Sequence, residues 1–396
     1  MPVSSLPLLR FPSAAVIPDA VRALLQLLNT GGAVTRYAGG CVRDALLGLT
    51  PGDVDFATTL RPDAVMETLR ARGIRVLPTG IEHGTVTALI DGKPVEITTL
   101  RRDTQTDGRH AVVEFSDDWR IDAERRDFTI NALYADDDGM VHDLVGGLAD
   151  LTGTVRVRFV GEAAARVGED FLRILRFYRF AGRFQPNAPL DESARAACRL
   201  GAHGLTSLSG ERIGAEMRKI LALPDPGAIL TAMEHDGVLA GLSLTPRATV
   251  LAALDTVPPA LRLVALSFGT DIALLAERWR LTRLEHAFTS KLTRSLAELL
   301  EKPTVLSANT LRYEHQEIST DALNALHSAV SGVSQQDFWA KTALPAPLPP
   351  LSAALMKQGL NGKELGEALK KAENHWISSE FSAEIPALLA AAQKCD

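Results

Sequence analysis

Four groups of residues in this 396-residue chain have the types and spacings that phosphate chemistry asks for. The first is Gly39-Gly40-Cys41-Val42-Arg43-Asp44, followed eight residues later by Asp53-Val54-Asp55. A turn without side chains lets backbone N–H groups approach a phosphate, and a helix opening behind it adds a favourable dipole. Asp53 and Asp55 stand two apart in an extended run, so their carboxylates are expected on one face of a strand. Phosphate cradle and paired carboxylates together equip a chain for metal-assisted phosphoryl or nucleotidyl transfer. Taken singly, the Gly-Gly pair also fits a plain tight turn and the acidic pair a solvated edge strand.

The second group is Glu96, in the alternating strand Val95-Glu96-Ile97-Thr98-Thr99-Leu100-Arg101. It either completes a site for magnesium, which takes hard oxygen ligands and keeps several waters, or simply faces solvent. The third is Glu124-Arg125-Arg126-Asp127-Phe128-Thr129-Ile130-Asn131-Ala132. Its adjacent arginines offer donors to a triphosphate or ribose, and Asp127 accepts from a sugar hydroxyl or orients the arginines. Arg126 and Asp127 pairing at a helix start is the bland alternative. The fourth runs from Glu169 and Asp170 through Arg173, Arg176, Arg179 and Arg183 on a helix otherwise made of Leu, Ile, Phe, Tyr and Ala. Arginines in so apolar a setting need partners, because burying an unpaired charge is costly. Glu169 and Arg173 at i,i+4 also suit an ordinary helix ion pair.

The elements that must position these groups can be read from periodicity and punctuation. Residues 18–29 form an amphipathic helix closed by Asn29, Gly31 and Gly32. Strands are expected at 34–38, 53–58, 74–77, 84–90 and 94–100, with a helix at 62–72. Segment 127–135 continues from its charged start as a helix or a strand. Beyond about residue 150 the strand signal stops, and helices follow at 161–185, 191–200, 209–222 and 225–237. Strands first and helices afterwards predict an α+β head, with a mixed sheet, joined to an all-α remainder. Pro345, Pro347, Pro349 and Pro350 form a stiff linker or turn before a last piece at 351–396.

Composition narrows the classes. The chain is 46% apolar and 23% charged, with a formal charge of −6, so any contact with nucleic acid must be local rather than a general basic coat. Cys41, Cys198 and Cys395 have no disulfide or zinc spacing, which suggests a reducing, cytoplasmic home. The N-terminus reads as a surface lead-in rather than a signal peptide, and no apolar stretch is uninterrupted enough to span a membrane. His235-Asp236 lacks the further ligands of a metal phosphohydrolase and is assigned to a helix end.

With these residues in view, the chain resembles the class II nucleotidyltransferase superfamily, which holds CCA-adding tRNA nucleotidyltransferases of bacterial type and bacterial poly(A) polymerases. The matching patterns are GG-x-VRD with D-x-D, E-I-x-T-L-R, R-R-D-F-T-x-N-A and E-D-x-x-R. The resemblance implies a catalytic head at 1–150, a helical neck at 151–224 carrying the base-selecting helix, a body at 225–340 and a tail at 341–396 that holds the tRNA elbow. It implies that Asp53 and Asp55 hold Mg2+, with Glu96 as a third catalytic carboxylate. Gly40, Arg43 and Arg126 then clamp triphosphate and ribose, while Asp170 and Arg173 read the base.

That last role has a chemical basis. An ionised aspartate only accepts hydrogen bonds and an arginine only donates them. Cytosine and adenine each show an exocyclic amine beside a ring-nitrogen acceptor, whereas uracil and guanine show the reverse pattern. Arg176 and Arg179, further along, are placed for phosphate or RNA contact. Asp107-Gly108-Arg109-His110 resembles the flexible loop of full CCA-adding enzymes, Asp143-x-x-Gly146-Gly147 their head–neck hinge, and Ser209 to Leu221 their neck helix. The implied reaction is template-independent addition of C, C and A to a tRNA 3′ end from CTP and ATP. A poly(A) polymerase or a CC-adding enzyme is the alternative. A monomer is favoured, with tRNA as partner and no membrane.

Overall fold

A computed structural model describes residues 9–106, 111–186 and 188–393, and its chain divides into two compact units, Met1–Ser243 and Leu244–Asp396. The first unit is built on a seven-stranded sheet. Its strands are β1 (Thr35–Ala38), β2 (Asp55–Thr58), β3 (Val76–Gly80), β4 (Thr85–Ile90), β5 (Lys93–Thr99), β8 (Leu133–Ala135) and β9 (Val141–Asp143), in the order β3-β4-β5-β2-β1-β8-β9. β2 and β5 run parallel, and every other neighbouring pair is antiparallel. The α+β reading therefore holds, with a mixed sheet.

Register does the positioning. Asp55 lies opposite Glu96 across the β2–β5 pair, so two acidic positions distant in sequence become neighbours. The sheet is anchored by side chains with no solvent exposure to speak of, among them Tyr37, Phe56, Ile97 and Tyr134. Helices Asp19–Leu28 and Pro62–Ala71 pack on it through Leu24, Leu25, Leu28, Val65 and Leu69. Burying each such side chain contributes about 1.5–3 kcal/mol.

Four local expectations change. Asp53 lies in a bend ahead of β2 rather than within it, because Gly52 and Asp53 are the exposed end of the turn. The polar stretch after Leu100 is a two-stranded hairpin, β6 (Arg101–Thr106) and β7 (Ala111–Phe115), while residues 107–110 lie outside the described residues. Segment 127–135 is neither one helix nor one strand: a single 3-10 turn, Thr129–Asn131, leads into β8. The helix expected over 161–185 is two helices, Ala163–Glu169 and Leu172–Phe184, broken at an extended Asp170 (φ −158°, ψ 109°).

After β9 the described residues of the first unit are helical, including Glu192–Gly201, Gly210–Leu221 and Gly227–His235. The second unit is all helix. One of its cores gathers Tyr313, Leu351, Leu355, Ala372, Trp376 and Leu388, with Leu348 packed alongside. The Pro-rich stretch is thus part of a packed surface rather than a free spacer, and Trp376 Nε1 donates to Ala346 O at 3.3 Å.

Candidate active site

The Gly39-Gly40 turn has the conformation its glycines permit. Gly39 has φ 72° and precedes helix Gly40–Leu46, and a Cβ there would lie 2.9 Å from Arg126 Nη1. Only glycine leaves room for that guanidinium over the turn. Cys41 and Val42 bury themselves beneath it, and Cys41 Sγ lies 3.4 Å from Ala38 O.

Asp55 stands at the first position of β2. Burial and the charge on Glu96 push its carboxyl up, Arg126 opposes them and Asp53 adds to them, and the result is about 6. These four side chains therefore share one electrostatic neighbourhood. Among the described residues no three acidic, His or Cys side chains already form a metal cage. The donors present are the hard carboxylate oxygens of Asp53 and Asp55, with Glu96 in register. Such a set fits an oxygen-preferring divalent cation that takes its remaining ligands from water or substrate phosphate. A cation there would also relieve the repulsion that raises Asp55.

Arg126 is held from three sides. Its Nε donates to Tyr134 Oη at 3.2 Å, its Nη2 to Asp122 Oδ2 at 3.2 Å, and its Nη1 to Asn131 O at 3.2 Å. Asp122 anchors the whole group: it also accepts from Arg125 Nη2 at 2.6 Å and from Tyr134 Oη at 2.7 Å, and its side chain is 1% exposed. Its own burial works against the ionised form, but Arg126 and Arg125 outweigh it and hold the carboxyl down at about 2. The doublet Arg125-Arg126 is legible in sequence. The acid that fixes it, one helical turn earlier at Asp122, carries no motif signal.

Each arginine of the apolar helix has a partner supplied by another segment. Arg173 pairs with Glu169 and donates to Arg125 O at 3.4 Å. Arg176 grips Asp127 with Nε at 2.7 Å and Nη2 at 2.5 Å. Arg179 donates to Glu216 Oε2 at 2.5 Å, and Arg183 lies 3.2 Å from Asp44. Asp170, in the break, accepts from Leu172 N at 3.0 Å and from Arg212 Nη2 at 2.6 Å. Oδ1 is thus held by the first N–H of the second helix and Oδ2 by Arg212.

Arg43 is buried. It pairs with Asp44 at 2.6 Å, donates to Asn131 Oδ1 and stacks over Phe184 at 4.3 Å. Burial is the main influence on its guanidinium and lowers it, with Asp44 acting the other way. Asp44, Asp122, Asn131, Arg212 and Glu216 are the partners that motif reading did not single out. Of these, only Asp122 lay outside the quoted runs.

Two further motifs have structural outcomes. Asp143 accepts from Gly146, Gly147 and Leu148 N, each at 2.9 Å, and so caps helix Gly147–Thr152. Asp236 is the C-cap of helix Gly227–His235 and binds Tyr178 Oη at 2.6 Å, Arg195 Nη2 at 2.8 Å and Arg199 Nη1 at 2.9 Å. The His-Asp pair therefore closes a helix and ties three helices together. No helix among the described residues is long and apolar enough to cross a membrane.

Comparison with known proteins finds relatives in both sequence and fold. Residues 35–156 match the family described as the poly A polymerase head domain, and residues 189–246 match the probable RNA and SrmB-binding site of polymerase A. The mitochondrial CCA tRNA nucleotidyltransferase 1 of Mus musculus is 46% identical over 209 residues, covering 52% of this chain and 48% of that protein. The chain spans about half the length of the curated relatives it matches first. A crystal structure of the Bacillus stearothermophilus CCA-adding enzyme in complex with CTP aligns at TM-score 0.67 and 25% identity, over 95% of this chain and 91% of that one. The Thermotoga maritima CCA-adding enzyme complexed with tRNA shares the fold, at TM-score 0.67 and 20% identity, over 98% and 99% of the two chains.

Proposed function

We propose that this chain is a class II nucleotidyltransferase, similar to the CCA-adding enzymes and poly(A) polymerases, and that it adds C, C and A to the 3′ end of tRNA. CTP and ATP are the nucleotide substrates and pyrophosphate is the leaving product. One observation supports the reading: residues 125–131 touch both the glycine turn and the arginine-bearing helix. Arg126 lies over the Gly39 turn beside Asp55, while Arg125 O and Asp127 are held by Arg173 and Arg176 of helix Leu172–Phe184.

In this reading the Gly39-Gly40 turn and the N-terminus of helix Gly40–Leu46 receive the triphosphate, with Arg43 and Arg126 supplying positive charge around it. Asp127 faces the ribose. Asp170 accepts from the exocyclic amine of cytosine or adenine, and Arg173 donates to the adjacent ring nitrogen, so uracil and guanine are refused. Arg176 and Arg179 keep the helix in place and add field at its phosphate side. Divalent metal use goes with the family. We take the metal to be magnesium, held by Asp53 and Asp55 with Glu96 supporting, where it would acidify the attacking 3′-hydroxyl and neutralise the departing pyrophosphate. The division into head, neck, body and tail, a monomeric working form and a cytoplasmic site belong to the same proposal.

The test is incubation with tRNA lacking its 3′ end, MgCl2 and single or paired nucleotides, resolved on a sequencing gel. C–C–A products that vanish in Asp53→Ala and Asp55→Ala support the reading. Absence of C incorporation, or full activity in either variant, refutes it, and long A tails made without CTP would assign a poly(A) polymerase instead.

A further inference from the structure

We propose that Asn131 is a positioning residue, the neutral joint through which the base-reading helix sets the phosphate turn. The inference rests on the proposed nucleotide site and adds to it a residue that touches neither base nor metal.

The observation is a closed ring of polar contacts. Starting from helix Leu172–Phe184, Arg176 binds Asp127 Oδ2 at 2.7 Å, and Asp127 Oδ1 accepts from Asn131 Nδ2 at 3.0 Å. Asn131 Oδ1 accepts from Arg43 Nη1, and Arg43 pairs with Asp44 at 2.6 Å. Asp44 Oδ2 then lies 3.2 Å from Arg183 Nη2, which returns the chain to the helix it left. Rings of Phe180 and Phe184, stacked at 5.9 Å, fill its inside, with Arg43 4.3 Å above Phe184 and Arg176 5.2 Å from Phe180.

Arg176 and Arg183 are seven residues apart, two turns of one helix, and therefore project on one side. Their two partners belong to separate segments of the head: Asp127 to the arginine run, Asp44 to the helix behind the glycine turn. Only Asn131 joins those segments within the ring. An amide is the side chain that can do this, because it accepts from a cation on one side and donates to a carboxylate on the other. Asn131 and Asp44 are themselves buried, at 8% and 5% exposure, so water does not substitute for a missing link.

A joint of this kind acts on alignment. It fixes the distance between Arg43 at the triphosphate end and Arg173, three residues before Arg176, at the base end. Misalignment of reacting groups lowers turnover more than it weakens ground-state binding. Asn131→Ala is therefore expected to lower kcat for CTP and ATP alike, on the order of tenfold to a hundredfold, the effect of losing buried bonds to charged groups. KM for either nucleotide should move by less than about threefold.

Arg183→Gln opens the same ring at its outer edge. The Arg183 side chain is 45% exposed, so the substitution leaves the core untouched. It is expected to lower kcat about fivefold alone and by less than about twofold in the Asn131→Ala background, since a ring already open cannot be opened again. Arg158→Gln, which removes a comparably exposed pair with Asp150 and Asp191 outside the ring, is the control and should change neither parameter.

Additive losses from Asn131→Ala and Arg183→Gln, or unchanged kcat in Arg183→Gln, would overturn the proposal while wild-type C and A incorporation left the proposed function standing. If Asn131→Ala does not fold, Asp44→Asn replaces it in the same cycle, with the same expected non-additivity. A wild-type protein that incorporates no nucleotide refutes the proposed function itself, so the two failures are distinguishable.

Discussion

Replacing Asp122 with asparagine removes one negative charge from beneath two arginines and keeps the shape of the side chain. The carboxylate is 1% exposed and receives Arg125, Arg126 and the Tyr134 hydroxyl. Its pKa in the folded protein is about 2 against an ordinary 3.8, a gap of 3.8 − 2. At roughly 1.4 kcal/mol per unit this corresponds to about 2–3 kcal/mol of stability at neutral pH. The sign follows from the depressed value: the contribution is present above the unfolded pKa and is lost as pH falls through the folded one. Linkage leaves roughly half of it at pH 3 and less than about 0.5 kcal/mol at pH 2. Hydrogen exchange over residues 119–135, resolved by mass spectrometry, reads the local opening free energy. Asp122→Asn should lower it by about 2–3 kcal/mol at pH 7, and the gap to wild type should narrow to about half by pH 3. A gap independent of pH, or one below about 1 kcal/mol at pH 7, would refute the account of Asp122 as the charged anchor of Arg126.

Two further outcomes follow from packing. Gly147→Ala would place a Cβ 2.2 Å from Thr129 O, a backbone atom that cannot rotate away. The variant should lose at least about 2 kcal/mol in denaturant unfolding, whereas Gly48→Ala, with open space around it and a positive φ, should lose only the smaller cost of backbone strain. Asp236→Ala should destabilise the first unit by about 1–3 kcal/mol, because it leaves the buried Tyr178 hydroxyl without its acceptor, while Arg195 and Arg199 keep Glu192. Unchanged thermal unfolding in that variant would contradict the role of Asp236 as the tie between its helices.

How much of this protein is legible in one dimension depends on the range of the physics. Gly39-Gly40 announces its turn because only glycine takes φ 72° freely. The arginines of Leu172–Phe184 announce that they need partners, because apolar neighbours surround them on the same helix. Alternation in 94–100 gives β5, and the loss of strand signal after 150 gives the change from mixed sheet to helix. All of these are interactions within a few residues, and the chain carries them wherever it goes.

What pairs with what is another matter. That Glu96 faces Asp55 follows from a parallel register between strands about forty residues apart, and no local pattern specifies it. Asp170 reads as one more helical residue, yet it stands in an extended break, where Oδ1 accepts from Leu172 N and Oδ2 from Arg212, forty-two residues on. Asn131 sits in a legible run and still gives no hint that it joins Arg43 to Asp127, since Arg43 comes eighty-eight residues earlier. The sequence by itself determined which side chains could do nucleotidyl chemistry, through residue type and short-range geometry. Tertiary structure alone decided which of them meet, which are held in ion pairs and how the glycine turn is tied to the base-reading helix, because burial and strand register are properties of the assembled fold.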